Sequence, residues 1–536
     1  MLNKFYTQEK IERTNRQIIF VLLAMLCIIP IITFKYISTS YSPVFMNNSY
    51  GTGVKVDVFN FYKSMLLYLG TGIIFALFMY KIIALKDELR RGKLNIIMLI
   101  LAIGIIVSML VSQYKDIALM GNFDRHEGAL AWLCYLTILF VLYNIEIEEK
   151  YFKIFYFILV PFLMINTILS VSKLFGNDLI NNSIVQTLIG GKGELGGQFF
   201  TTLYHYNFGS GVAAVIFSAS FIYMLLEKNI KIKIAILLIT AISFAMLLAL
   251  ISNGGFITIV ALIPIIIVLA CRLTEKKSVF TWSAILLVIN AIIYFILNKQ
   301  NSNVYDESMA LFAKLNDLSV LIIPGIILVF AILLLILKFV DKKKFFNISL
   351  SIMVVGILVC VSLYAFNLNK QNKILEKNPN ASIVRVQDTS IYNELNEIST
   401  DRLNIWTKTL DLINDKPLFG YGFDTFPYVF IPNDDNGGLS TYGEIIDKPH
   451  NWYLSVTYGS GLIGLIGLLG VIIYIIKCVF DKAVDRIDNK YIYIFGIGVI
   501  AYAVQGMFND SLVGTSIIFW IFAGLSLNLL KNEINE

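Results

Sequence analysis

The chain reads as an all-α protein that crosses a membrane about fourteen times and carries one long loop on the far side. Two observations lead there. The 536 residues are 57% hydrophobic and 15% charged, whereas a soluble chain carries roughly a quarter charged residues. The apolar residues also gather in runs such as 17–34, 64–85, 94–112, 455–476 and 511–530, each close to the ~20 residues that cross ~30 Å of hydrocarbon. The runs are apolar on every side rather than alternating, so they predict helices and not barrel strands.

The first run follows a basic head of Lys4, Lys10, Arg13 and Arg16 and has no small-residue cleavage site. It reads as a retained span. Further spans are predicted near 128–143, 152–171, 208–226, 232–251, 255–271, 279–297, 318–337, 346–366 and 491–507. The short segments joining them alternate in charge. One set, including both termini, holds 26 Lys and Arg, and the short loops of the opposite set hold 9. Positive charge marks the cytoplasmic side, so both termini are expected inside. The formal charge of +6 is therefore an orientation signal and no indication of nucleic acid. The five cysteines are scattered singly, with no spacing that suggests zinc, iron–sulfur or a disulfide framework.

Three regions follow from this reading: an eleven-helix bundle over 1–366, a long extracytoplasmic loop over 367–454, and three closing spans over 455–536. Within the loop, Ser399-Thr400-Asp401 precedes Leu403, Trp406, Leu410 and Ile413 at helical spacing. That pattern predicts an amphipathic helix lying on the membrane or on the bundle. Pro417, Gly420 and Gly422 then end it in a turn.

All three histidines, His126, His205 and His450, fall on the outer side, with Arg125, Arg385 and Arg402. Three outer elements carry chemistry-bearing residues. Arg125-His126-Glu127-Gly128 stands at the mouth of the fourth span. Arg402 and Trp406 precede Pro417-Leu418-Phe419-Gly420-Tyr421-Gly422. Lys448-Pro449-His450-Asn451-Trp452-Tyr453 leads through Gly459-Ser460-Gly461 into the twelfth span. Arginine forks grip phosphate oxygens bidentately, and a histidine near neutrality can remove a hydroxyl proton. Plainer roles stand beside these: Arg402 as a headgroup contact, Asn451 as a helix cap, Arg125 and His126 as interfacial anchors with Glu127 as local partner, and Tyr453 as a belt aromatic. Asp434-Asp435 reads as solvated rather than metal-bound, and no metal site or cofactor is predicted.

The order Arg402-x3-Trp406, then Pro417 to Phe426, His450-Asn451-Trp452-Tyr453-Leu454, and Gly459-x-Gly461-Leu462-x-Gly464 resembles the C-terminal signature of the O-antigen ligase and surface polysaccharide polymerase superfamily. Arg125-x-Glu127-Gly128, His205-Tyr206-Asn207 and Phe508-Asn509-Asp510 resemble it more loosely. Members often carry Ser-Arg-Gly where this chain has Ser252-Asn253-Gly254, so an arginine is missing; either Arg125 or Lys192 takes its place at phosphate, or donor binding differs here.

The resemblance implies a glycosyltransferase C-like fold in a bacterial inner membrane. It implies metal-independent, inverting glycosyl transfer at the outer leaflet from an undecaprenyl-diphosphate-linked saccharide to an acceptor hydroxyl. Arg125 and Arg402 are then the natural diphosphate clamps. His450 serves either as the base or, as imidazolium, as a third phosphate contact. His126, Glu127, His205, Asn207, Trp406, Asn451 and Tyr453 are the expected substrate contacts. The expected partners are a lipid-linked oligosaccharide donor, a glycan acceptor, and, in the membrane, a flippase and a chain-length regulator. A polymerase adding repeat units and a ligase moving a finished glycan share this signature. A lipid-linked oligosaccharide flippase or other transporter is the reading from another class. Spans nearly free of Asp, Glu, Lys and Arg count against it.

Overall fold

In the computed structural model, residues 2–45, 50–190, 199–297, 402–433 and 445–530 are described. The expected spans 318–337 and 346–366, Lys192, Arg385 and Asp434-Asp435 lie outside them. The described chain is mostly helical. Eight helices are long and apolar enough to cross a membrane: α2 (Phe61–Ile83), α3 (Lys93–Val111), the stretch Glu149–Leu174, α9 (Tyr206–Leu226), α10 (Ile230–Leu250), α11 (Asn253–Leu273), α12 (Lys276–Leu297) and α15 (Trp452–Val484). Three shorter apolar helices join them, α5 (Ala129–Asn144), α16 (Lys490–Gln505) and α17 (Val513–Leu529). This is a multi-pass membrane protein.

Several local expectations are corrected. The first helix, α1 (Leu2–Ile28), runs back through the basic head and stops at Ile28, short of Phe34. Pro30 cannot donate to the helical ladder, so the chain turns out there. Glu149–Leu174 is two pieces, α6 (Glu149–Phe157) and α7 (Val160–Leu174), parted at Ile158–Leu159 ahead of Pro161.

The outer segments are not wholly helical either. β1 (Tyr36–Ser40) pairs antiparallel with β2 (Gly53–Asp57), and β3 (Phe199–Thr201) with β4 (Tyr204–His205). Alternation in Tyr36-Ile37-Ser38-Thr39-Ser40 and Gly53-Val54-Lys55-Val56-Asp57 is a strand signal. Two short helices, α4 (Lys115–Met120) and α8 (Ser183–Leu188), complete these segments, and a third, α14 (Phe426–Phe430), lies ahead of α15.

Lys63 is fully buried near the outer end of α2. Its ammonium donates to the carbonyls of Ile32 at 2.5 Å, Phe59 at 2.7 Å and Thr202 at 2.9 Å. A buried ammonium has three protons to satisfy, and here two hold the ends of the α1–α2 connection while the third holds the β3–β4 hairpin.

The three closing helices do not stand apart from the earlier ones. α15 packs on α3, α16 on α9, and α17 on α5. The α3–α15 contact is close because glycines line it: a Cβ on Gly104 would meet the backbone of Gly464, and one on Gly467 would meet Leu101. Small residues allow this approach in lipid, where dispersion and not water exclusion holds helices together.

α15 is broken at Gly461, which has φ 67° and ψ −171°. The break frees backbone groups, and the segment 417–422 takes them up. Leu462 N–H donates to Pro417 O at 2.8 Å, while Tyr421 and Gly422 N–H donate to the carbonyls of Tyr458 and Gly459, each at 2.9 Å. Non-helical backbone at a membrane helix survives only when protein satisfies it. Gly420 and Gly461 both hold positive φ, and a Cβ on either would run into the other segment's backbone.

The amphipathic helix of the long loop is α13 (Arg402–Asp415), and its buried face differs from the expected one. Ile405, Thr409, Leu412 and Ile413 are buried, while Leu410 is 49% exposed. The side chain of Leu403 is outside the described set. The helix is turned by about one residue, because its inner face must meet Phe426, Phe430 and Tyr458 and because Trp406 Nε1 donates to Pro449 O at 2.9 Å.

Replacing Gly461 or Gly420 by Ala is expected to cost about 2 kcal/mol or more, since both demand left-handed backbone against an opposing chain. Gly72→Ala, where a Cβ meets open space inside a helix, should be neutral or slightly stabilising. Thermal unfolding in detergent micelles checks the contrast.

Candidate functional site

Four stretches converge at one end of the helices: residues 121–128 before α5, 199–207 at the start of α9, 445–451 before α15, and 509–511 before α17. The loop 121–128 turns sharply. His126 has φ 54°, and its carbonyl accepts from Tyr68 Oη at 3.3 Å. The turn drives Arg125 inward to 5% exposure. There its Nε donates to Asp447 Oδ2 at 2.8 Å and its Nη2 pairs with the same oxygen. Asp124 lies 3.9 Å away. The guanidinium plane sits over Tyr204, 4.9 Å from the ring centre, and over Phe208 at 5.5 Å. Its Nη1 is buried with no hydrogen-bond partner among the described residues.

Burial opposes charge on Arg125, but Asp447 and Asp124 outweigh it and hold the guanidinium firmly protonated. Asp124 is pushed up to about 6 by burial, against the pull of Arg125. Asp447 is held below the usual range: Arg125 and then His450 overcome its burial.

His450 ends the third stretch with φ 55°. Its Nδ1 lies 3.2 Å from Asp510 Oδ2, and its own N–H donates to that oxygen at 3.0 Å. The other oxygen of Asp510 accepts from Ser455 Oγ at 2.5 Å. The Asp510 side chain is 1% exposed, and that of His450 is 37% exposed. Burial would raise Asp510, but the hydrogen bond and charge of His450 hold it at about 2. A carboxylate on Nδ1 fixes the tautomer that leaves Nε2 as the outward acceptor.

His205 N-caps α9, its Nδ1 accepting from Asn207 N–H at 3.3 Å. Burial, then the neighbouring His450 and Arg125, push its imidazole down to about 3; Arg402 adds to the effect. This histidine is neutral at physiological pH. Asn207 Oδ1 accepts from Ser252 Oγ at 2.8 Å, so the Ser252-Asn253-Gly254 turn lies beside it. Arg402 makes no hydrogen bond or ion pair with any described residue. Burial lowers its affinity for the proton, opposed by Asp510 and Tyr206. It faces the site from α13.

The remaining expected contacts are placed as follows. Glu127 is buried and accepts from Tyr135 Oη at 3.0 Å, Ser511 Oγ at 2.6 Å and Ser516 Oγ at 2.8 Å. His126 Nε2 lies 3.4 Å from Asp57 Oδ2, as a charge contact without hydrogen-bond alignment. Asn451 caps α15 through the amides of Tyr453 and Leu454. Tyr453 turns its hydroxyl inward to Ala503 O at 2.6 Å. Trp406 spans α13 and the His450 turn. Thus Arg125, His205, Arg402 and His450 share one electrostatic neighbourhood, while Glu127, Asn451 and Tyr453 spend their polar atoms on the scaffold.

Asp57, Asp124, Asp424, Asp447, Lys448 and Asp510 were not singled out as site residues from sequence. Lys448 and Asp510 lie inside the motifs, but nothing in spacing marks a loop carboxylate as buried. Residues 308–469 match the family model described as O-Antigen ligase. That segment, under a third of the chain, is similar to the O-antigen ligase family. Its described part carries α13, the strap 417–422 and His450, whereas Arg125, His205 and Asp510 are brought to it from outside the match. No curated protein matches the chain. The family points to O-antigen ligase or polymerase-type glycosyl transfer, by a protein that meets a lipid-linked glycan donor and an acceptor at the membrane.

Asp510 has a depressed carboxyl in the folded state. Its stabilising contribution is present above the ordinary carboxylate range and is lost as pH falls from about 4 toward 2. The shift from 3.8 to about 2 corresponds to about 2 kcal/mol. Asp510→Asn should lower the melting temperature at neutral pH and flatten its decline between about pH 4 and pH 2, measured in detergent.

Proposed function

We propose that the chain transfers a glycan from an undecaprenyl-diphosphate carrier to an acceptor hydroxyl at the outer leaflet of a bacterial inner membrane, lengthening a surface polysaccharide. The observation that carries this reading is His450, inside the segment similar to O-antigen ligase, held on the buried carboxylate of Asp510 beside Arg402, which has no ion-pair partner among the described residues. His450 Nε2 takes the proton of the acceptor hydroxyl, and that oxygen forms a bond to the sugar C1. The bond from C1 to the diphosphate oxygen breaks on the opposite face, so the configuration inverts. The electron pair leaves with the diphosphate, whose growing negative charge Arg402 meets. No metal is invoked.

Arg125 serves here with most of its donors already engaged. Its partnerless Nη1 remains for substrate, and its contact with Asp447 holds the 445–451 turn against the 121–128 loop. His205, neutral and close to both His450 and Arg125, suits a hydrogen bond to sugar better than one to phosphate. Fourteen spans, cytoplasmic termini and contacts with a flippase and a chain-length regulator belong to the same reading. A second reading, transfer of a finished glycan to another acceptor, is favoured by the description of the matching family itself. Both readings use the same site, and the acceptor distinguishes them.

His450→Ala should reduce glycan transfer by roughly 10²–10⁴-fold, and Arg402→Ala by about 10²-fold or more, while both proteins still insert. Polysaccharide ladders on gels of complemented cells read this, and wild-type ladders from both variants would refute the assignment. Orientation is tested separately. With the five native cysteines replaced by serine, a cysteine at His450 should react with a membrane-impermeant maleimide on intact cells. One at Lys228 should react only after permeabilisation.

A further inference from the structure

Asp424 has no part in the chemistry above, yet it touches both the loop that carries Arg125 and the turn that carries His450. Its side chain is 1% exposed. Oδ2 accepts the amide N–H of Asn122 at 3.2 Å and of Glu127 at 2.8 Å, and Oδ1 meets Lys448 Nζ at 3.0 Å. Its backbone is left-handed, with φ 58°, an uncommon state for a residue with a Cβ.

Each partner borders a site residue. Asn122 and Glu127 bracket Arg125, and Lys448 lies two residues before His450. The far side of Glu127 holds Ser511, next to Asp510. Asp424 itself follows the strap 417–422, which is stitched into the break of α15. One carboxylate therefore connects the Arg125 loop, the His450 turn and the broken helix. Carboxylate contacts to amides and an ammonium are strong in a buried setting, and leaving such partners unmet is costly.

We propose that Asp424 is a positioning residue for glycan transfer: it sets the Arg125 loop against the His450 turn, and its charge cancels that of Lys448 beside Asp510. This rests on the reading of the site given above. The charged groups around Lys448 are Asp424, Glu127, Arg125 and Asp510. Those around His450 are Asp510, Asp447 and His205, with Arg125, Arg402 and Lys448 acting on these same groups.

An asparagine at 424 still offers one oxygen to the two amides but leaves Lys448 with only Glu127, at 3.7 Å. The surplus positive charge then acts on Asp510 and His450 and disfavours the imidazolium. The neutral base persists to lower pH, and the acidic limb of activity moves down. Lys448→Met removes the surplus. Glu127 keeps three hydroxyl donors, from Tyr135, Ser511 and Ser516.

The test uses full-length protein as the sole copy in cells held at external pH from about 5 to about 8, with the cells' own polysaccharide ladder as readout and membrane abundance as control. Asp424→Ala should lose glycan extension by about tenfold or more, since two buried amides are orphaned. Asp424→Asn should shift the acidic limb down by about 0.5–1 unit, and Asp424→Asn with Lys448→Met should return the limb to the wild-type position. An Asp424→Asn ladder that is merely weaker at every pH, or a double variant whose limb stays shifted, overturns the proposal. His450→Ala runs in parallel: a wild-type ladder from it sinks the glycan-transfer reading itself, whereas its loss beside unaffected Asp424 variants sinks the positioning role alone.

Discussion

The site-bearing end of this protein is organised by a helix that fails at Gly461. A membrane helix normally closes its own hydrogen bonds, and a break inside one strands donors and acceptors where water does not reach. Here the strap 417–422 supplies them, backbone to backbone, through Pro417, Tyr421 and Gly422. The approach is close enough that Gly420 and Gly461 admit no Cβ. Once the strap is fixed, α13 on its amino-terminal side and Asp424 on its carboxy-terminal side are fixed with it. The first residue of α13, Arg402, then faces Asp510 and Tyr206, and Asp424 reaches the 121–128 loop and Lys448. Two glycine-bearing motifs separated by about forty residues are thus the two halves of one joint.

Charge in the site is balanced rather than piled up. Arg125 is answered by Asp447 and Asp124, and Lys448 by Asp424 and Glu127. Buried ions persist only when paired and hydrogen-bonded, so a cluster assembled from five buried or half-buried loop carboxylates and their cations becomes a rigid frame. Against that frame two groups stand out. Arg402 has no ion-pair partner among the described residues, and His450 has one nitrogen tied down and the other facing outward. A departing diphosphate requires a cation that is still free and a base that is already oriented. Among the described residues the frame leaves Arg402 and His450 for these two tasks.

Much of this was legible in the chain. Apolar run lengths marked the long helices, and the ordered Arg402, Trp406, Pro417, His450 and Gly461 pattern pointed to the family that residues 308–469 match. The rest was hidden for identifiable reasons. The hairpin of β1 and β2 lay in a segment read only as a loop between spans. The buried face of α13 was misjudged because hydrophobic spacing ranks Leu410 with its neighbours, whereas the surface awaiting the helix decides which of them is covered. Asp424, Asp447 and Asp510 look like ordinary loop carboxylates.

What the sequence determined by itself is therefore local. Hydrocarbon thickness sets span length, and the membrane's charge preference sets direction, so each reads off a few consecutive residues. What only the tertiary structure decided is which distant residues share a low-dielectric space. Arg125 on Asp447, His450 on Asp510 and Asp424 on the 121–128 loop and Lys448 all join positions far apart in the chain. Their energies come from burial that no single stretch creates alone.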